Sequence, residues 1–195
     1  MNGYSHTIVV GGTGMLRAAS VELAKRSGAL TSVARTERSL ARLDQEIEDL
    51  DCRHRPVRLD YNDLTELRRE VADAIETEGP ADLLLAWIHD EQGPVLPALV
   101  EQVSRHRALP ACQVVHVRGS ASADPAGAED ASAGRYSNLE SVAYQQVVLG
   151  FHLDPETNAS RWLTNDEISA GVLEAIDGGS SRVVVGQTRP WGLRP

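Results

Sequence analysis

Short apolar runs that alternate with helix-period segments constrain this chain more than any other feature. Residues 6–10 (HTIVV), 30–34, 57–59, 83–88 (LLLAWI) and 113–117 are β-rich and apolar. Continuous apolarity, rather than strict alternation, belongs to strands covered by helices on both faces. Between them, apolar residues recur every three or four positions: Leu16, Ala19 and Leu23 in 15–25, then Leu40, Leu43, Ile47 and Leu50, then Leu64, Leu67, Val71 and Ile75, then 97–106. Gly28 offers an end to the first helix, Thr36 a start to the second, and Asp63 caps the third. Repeated strand–helix units give a parallel sheet with right-handed crossovers. The expected fold class is α/β, a doubly wound, mostly parallel sheet with helices on both faces, forming a single domain over residues 1–195.

The pattern changes after residue 118. Residues 119–135 are small, acidic and aperiodic, and are expected to form a mobile loop. Residues 141–153 read as one long strand, and 182–185 as a last one. Thr164 and Glu167 are spaced as a capping box for a helix running to Ile176. The strand over 142–153 carries Val142, Val147, Val148, Leu149 and Phe151, too much apolar surface for a bare edge. It is therefore either central in the sheet or covered by a partner, which leaves a homo-oligomer possible.

A formal net charge of −9 repels a phosphate backbone, so no nucleic-acid surface is expected. Two cysteines make no disulfide framework, and residues 1–10 lack the basic and apolar regions of a signal peptide. No apolar run approaches the roughly 20 residues that span a bilayer. The expectation is a cytoplasmic protein with a small-molecule substrate and no membrane partner.

Chemistry enters at Gly11-Gly12-Thr13-Gly14, between the first strand and the first helix. A helix N-terminus offers unpaired N–H groups and a positive dipole end, and glycines let the backbone approach a pyrophosphate. With a strand before and a helix after, Gly11, Gly12, Thr13, Gly14, Met15 and Leu16 form the dinucleotide-binding turn of a Rossmann-type unit. A third glycine would fall at position 17, where this chain has Arg17. That side chain must be tolerated in helix–strand packing or swing out toward the phosphates.

The second strand ends at Arg35, with Thr36, Arg38 and Ser39 beside it. Sites for NAD place an acid here to bind the ribose 2′-hydroxyl. Arginine instead suits a 2′-phosphate, through bidentate charge-assisted bonds. Cations at a helix start otherwise oppose its dipole, so NADP(H) is the expected cofactor.

In order along the chain, the segment 11–16 (GGTGML), Arg35, Leu59-Asp60, the segment 86–89 (AWIH) and Gly119-Ser120 resemble the short-chain dehydrogenase/reductase superfamily, in a short, atypical branch. The segments 144–151 and 160–169 look like those of small bacterial proteins of that kind. The resemblance implies that Asp60 holds the adenine amino group, that Trp87 and Ile88 lie along the cofactor ribose, and that Ser120 orients the substrate. It also requires a Tyr-x-x-x-Lys pair, in which the lysine lowers the tyrosine's pKa. Tyr136 is followed four residues on by Glu140 and Tyr144 by Val148, and the chain's one lysine is Lys25.

Two readings follow. In one, an NADPH-dependent reductase transfers hydride to a small carbonyl or imine, with the proton supplied by His89, Tyr144, Tyr136 or Ser120; His89, Ser120 and Tyr144 are the catalytic set. In the other, the protein binds NADP(H) without turnover, as a sensor or partner. No metal site is expected, because Cys112 with His116, and Cys52 with His54, are each too few for zinc. No nucleophile elbow of the Gly-x-Ser-x-Gly type is present, and Trp87, Trp162 and Trp191, far apart in sequence, read as packing residues.

Overall fold

The computed structural model describes residues 3–89, 93–106, 110–123, 136 and 138–195. Seven strands form one parallel sheet: β1 (Tyr4–Val10), β2 (Ser27–Ala34), β3 (Arg53–Arg58), β4 (Leu83–Trp87), β5 (Cys112–Arg118), β6 (Val142–Leu149) and β9 (Arg182–Val185). The order across the sheet is β3-β2-β1-β4-β5-β6-β9. A small antiparallel pair, β7 (Phe151–Leu153) and β8 (Ser160–Trp162), stands outside it. The helices are α1 (Arg17–Ala24), α2 (Glu37–Ile47), α3 (Leu64–Glu78), α4 (Val95–Arg105) and α5 (Asn165–Gly178).

Two apolar layers cover the sheet. Ile8, Val10 and Val114 point toward Leu67, Val71 and Leu99 of α3 and α4. Val9, Leu85 and Val147 point the other way, toward Leu23 of α1, Leu43 of α2 and Val172 of α5. The central strands β1, β2, β4, β5 and β6 feed both layers by their alternation, whereas the edge strands β3 and β9 each feed one. This is the Rossmann-type α/β architecture that the alternating pattern predicts.

Several boundaries differ from expectation, each for a local reason. Gly28 does not end α1: the helix closes with Lys25 N–H donating to Val21 O and Arg26 N–H to Leu23 O, and β2 starts at Ser27. The expected long strand over 141–153 breaks at Gly150. A Cβ there would lie 2.1 Å from the Gln187 carbonyl oxygen, so only glycine lets the C-terminal segment cross at this point. Ser120–Ala123 forms a 3-10 turn rather than open loop, while the rest of the expected loop, 124–135, lies outside the described residues. β6 sits between β5 and β9, so the apolar strand is interior and its coverage asks for no second chain.

The amino end of the sheet is sealed by polar groups. His6 is fully buried between Gly79 O (Nδ1, 2.8 Å) and Thr31 Oγ1 (Nε2, 2.9 Å), and burial lowers its pKa. Asp82 accepts from the Ser5 and His6 amides. Gln145 donates to Ala175 O in the last turn of α5 and to Ser180 O just beyond the helix. The carboxyl end is different.

Candidate active site

The strand order reverses between β1 and β4, and ligands of open α/β sheets bind beyond the carboxyl ends of strands at such a point. β1 leaves the sheet there through the glycine turn. Gly11 has φ +78°, and a Cβ on it would lie 2.1 Å from the Trp87 carbonyl oxygen, so the β1–β4 separation itself demands glycine. Gly12 is pressed against α1: a Cβ would meet Val9 Cγ1 at 2.1 Å and Ser20 Oγ at 2.5 Å, and the Ser20 hydroxyl donates to Gly12 O at 2.9 Å. Gly14 is the opposite case, since a Cβ there meets no protein atom within 4 Å. The turn is closed toward the protein and open outward. That is the shape a bound diphosphate needs, so the residues present fit a dinucleotide.

The neighbours of the turn hold it in place. Thr13 Oγ1 donates to Ser39 Oγ (3.1 Å), whose hydroxyl donates to Thr36 O (2.8 Å), tying the turn to the start of α2. The Met15 carbonyl accepts from Ser169 on α5, and Leu16, wholly buried, precedes the first residue of α1. Arg17 does swing outward, though to Glu46 on α2 (Nε–Oε1 3.1 Å) rather than over the turn. The close helix–strand approach that a third glycine would serve is made one turn later, by Ser20 on Gly12.

Arg35 and Arg38 follow β2 and are exposed. Among the described residues neither has a hydrogen-bond or ion-pair partner, whereas Glu37 between them meets Arg58. At the end of β3, Asp60 Oδ1 accepts from both the backbone and the side-chain nitrogens of Asn62 (3.0 and 2.8 Å). At the end of β4, Ile88 is buried in the core, and the His89 amide donates to the Tyr61 hydroxyl (3.2 Å). The exposed His89 ring stands edge-on to Trp87, centroids 4.9 Å apart.

A cavity of about 270 Å³ opens beyond β1, β4, β5 and β6, lined by Met15, Trp87, Ser120, Leu149, Trp162 and Arg194 among others. Ser120 thus faces the cavity from the end of β5, where its hydroxyl oxygen accepts from Arg194 Nε at 2.8 Å. The Arg194 guanidinium also lies 5.2 Å from the ring centroids of both Trp162 and Trp191. Arg194 escaped the sequence reading, because no motif marks it and its place depends on how the tail crosses the sheet. Trp162 and Trp191, expected to be separate packing residues, gather around this one cation. Arg161 holds Glu167 with two bonds of 2.8 Å and also donates to Trp162 O at 3.1 Å.

Tyr144 does not join this group. It is the third residue of β6, opposite Val114, five residues before the strand's carboxyl end, or about 16 Å at strand rise. Its alternation turns it to the α3–α4 face, where its hydroxyl meets His116 Nδ1 (3.0 Å) and its ring packs against Tyr136 (5.1 Å). Lys25 pairs with Glu22 on α1.

One further arrangement imitates a hydrolase. Ser32 Oγ meets His54 Nε2 at 2.7 Å, and His54 Nδ1 meets Asp44 Oδ1 at 2.7 Å. Ser32 is 1% exposed in mid-β2, so no substrate carbonyl reaches its oxygen, and the line instead fastens β2, β3 and α2 together. Among the described residues no group of three or more His, Cys, Asp or Glu could hold a metal ion, and no helix is long and apolar enough to cross a membrane.

Strand order and the connections between strands define a doubly wound, Rossmann-type α/β fold. Solved short-chain dehydrogenase/reductase structures share that fold. An NADH-dependent reductase complexed with NAD superposes with a TM-score of 0.70 at 18% identity, covering 95% of this chain and 96% of that one. A short-chain dehydrogenase/reductase from Serratia marcescens gives 0.70 at 18%, covering 93% and 96%. An NAD+-bound xylitol dehydrogenase gives 0.72 at 13%, covering 92% and 96%. No protein-family model matches the sequence, and no curated protein matches it.

Proposed function

We propose that this chain is an NADPH-dependent oxidoreductase of the short-chain dehydrogenase/reductase type, acting on a small carbonyl or imine compound. The observation that carries the proposal is the glycine turn at the strand-order reversal, closed inward by Trp87 O and Ser20 and open outward at Gly14. Gly11 to Gly14, with Met15 and Leu16, bind the diphosphate at the start of α1. Arg35 and Arg38, unengaged by any described carboxylate, hold the 2′-phosphate. Asp60 keeps one carboxylate oxygen for the adenine amino group, and Trp87 with the backbone of Ile88 lies along the path of the ribose toward the cavity.

A bound dihydronicotinamide supplies a hydride to the substrate carbon. What the chain adds is polarisation of the receiving oxygen. Ser120 accepts from Arg194, which leaves its own proton to donate into the cavity. His89, exposed beside Trp87, is the general acid that supplies the proton to that oxygen. Tyr144 has no part in this scheme.

A second reading, a binder of NADP(H) without turnover, draws on the missing Tyr-x-x-x-Lys pair: Tyr144 is on the far face, and the one lysine is engaged on α1. One set of measurements separates the readings. NADPH is expected to bind more tightly than NADH, and Arg35→Ala to weaken NADPH by about 1.5–3 kcal/mol, the worth of charged hydrogen bonds, with little change for NADH. Equal losses for both nucleotides remove Arg35 from the 2′-phosphate. Consumption of nicotinamide absorbance with small carbonyl compounds supports the reductase, and tight binding without consumption supports the binder.

A further inference from the structure

We infer that the cavity at the carboxyl end of the sheet recognises a carboxylate on its substrate, and that Arg194 is the residue that grips it. The inference rests on the reading of this cavity as the reductase's substrate site and narrows that substrate to a small, partly planar oxo acid.

Three features of Arg194 point this way. Its guanidinium is flanked by two neutral indoles, Trp162 and Trp191, each 5.2 Å from the cation, within the range of a cation–π contact. These contacts hold the cation without neutralising its charge. Its Nε donates to Ser120 Oγ at 2.8 Å, which orients it. Arginine carries five N–H donors, so the terminal nitrogens keep four for a ligand. Among the described residues no carboxylate pairs with Arg194, although the chain holds 28 acidic side chains against 19 basic ones. A planar cation that is oriented, charged and without a described counter-ion is built for bidentate binding of a carboxylate.

The rest of the cavity sets the remainder of the ligand. Met15, Trp87, Leu149 and Ile168 make the wall apolar, so beyond its acid group the substrate carries a hydrocarbon or aryl portion. A volume of about 270 Å³ falls just below the usual range of ligand pockets, about 300–1,000 Å³, so that portion is small. Ser120 stands one hydrogen bond from Arg194, so a carbonyl adjacent to the carboxylate meets the serine hydroxyl while the acid group meets the guanidinium.

The test compares benzoylformate, an aryl 2-oxo acid, with acetophenone, its uncharged relative. Binding is measured by calorimetry and by tryptophan fluorescence, with and without NADP+. All three tryptophans of the chain, Trp87, Trp162 and Trp191, line the cavity or touch Arg194, so at a fixed nucleotide concentration a change in their emission follows the probe. Wild-type protein should bind benzoylformate at least about 10-fold more tightly than acetophenone. Arg194→Gln should weaken benzoylformate by about 10- to 100-fold and leave acetophenone unchanged. Arg194→Lys, which keeps the charge but loses the fork, should fall between. Equal affinity of wild-type protein for the two probes overturns the inference without any variant, and so does full benzoylformate affinity in a folded Arg194→Gln protein. Nucleotide binding without discrimination between the probes refutes the inference and leaves the reductase reading standing. Discrimination without nucleotide binding does the reverse.

Discussion

Two alanine substitutions three residues apart should have opposite consequences, and the difference tests the whole reading of the glycine turn. At Gly11 the backbone has φ +78°, and an added Cβ would lie 2.1 Å from the Trp87 carbonyl oxygen. An L-residue in that conformation costs about 1–2 kcal/mol before the clash is counted. The clashing atom is backbone of β4, which cannot retreat without parting the central strands. Gly11→Ala should therefore lose at least about 3 kcal/mol, or roughly 6–12 °C in Tm for a domain of this size. At Gly14 nothing lies within 4 Å of the added carbon, so Gly14→Ala should keep its stability within about 0.5 kcal/mol. The same methyl group would occupy the space assigned to the diphosphate and push it off the amides. Loss of one or two charge-assisted bonds of about 1.5–3 kcal/mol each weakens NADPH at least about 10-fold. Urea unfolding and calorimetric titration of both variants supply the four numbers. Wild-type NADPH affinity in Gly14→Ala refutes the placement of the diphosphate, and a Gly11→Ala protein as stable as wild type refutes the argument from strand separation.

Tyr144→Phe removes a hydroxyl that meets His116 at 3.0 Å on the α3–α4 face, and should lower stability by about 0.5–1.5 kcal/mol while NADPH affinity and turnover stay unchanged. A loss of turnover at constant stability would return Tyr144 to the chemistry. Glu167 accepts from Arg161 and from the Thr164 amide, and these bonds hold its carboxyl down to about 2 from an ordinary value near 4.5. Because the folded pKa lies below the unfolded one, the contribution is full above pH 4.5 and fades as pH falls toward 2. Thermal melts of Glu167→Gln against wild type should accordingly differ most at neutral pH and converge below pH 3; a gap that does not change with pH would mean that the charge contributes nothing.

What was legible in the sequence is what local chemistry dictates. Thr164 and Glu167 announce α5 because both halves of the capping box form within four residues, Glu167 N–H to Thr164 Oγ1 and Thr164 N–H to Glu167 Oε2. The glycine turn was legible for a similar reason, since strand, turn and helix are contiguous. Features that depend on distant chain were not. Gly28 reads as a helix stop, but the pairing of β2 with β1 begins at Ser27 and draws it into the strand. Gly150 reads as an ordinary strand residue until Gln187, 37 positions later, crosses above it. Tyr144 looked available because the resemblance calls for a tyrosine. Its depth along β6 and its face follow from the register with β5, which the pattern of apolar residues leaves open.

The two ends of the sheet differ in what they leave for a ligand. At the amino end, polar groups find protein partners: His6 has Gly79 and Thr31, and Asp82 takes two amides. Buried polarity that is fully satisfied stabilises the fold and leaves little for a ligand. At the carboxyl end the balance is reversed. Arg35 and Arg38 beside the turn, and Arg194 over the cavity, stand without a described carboxylate, on a chain whose net charge is −9. The three lie at the two ends of the path a dinucleotide would take, from the adenosine end at β2 to the substrate cavity beyond β5. Phosphate at one end and carboxylate at the other would complete the pairs that the chain leaves open.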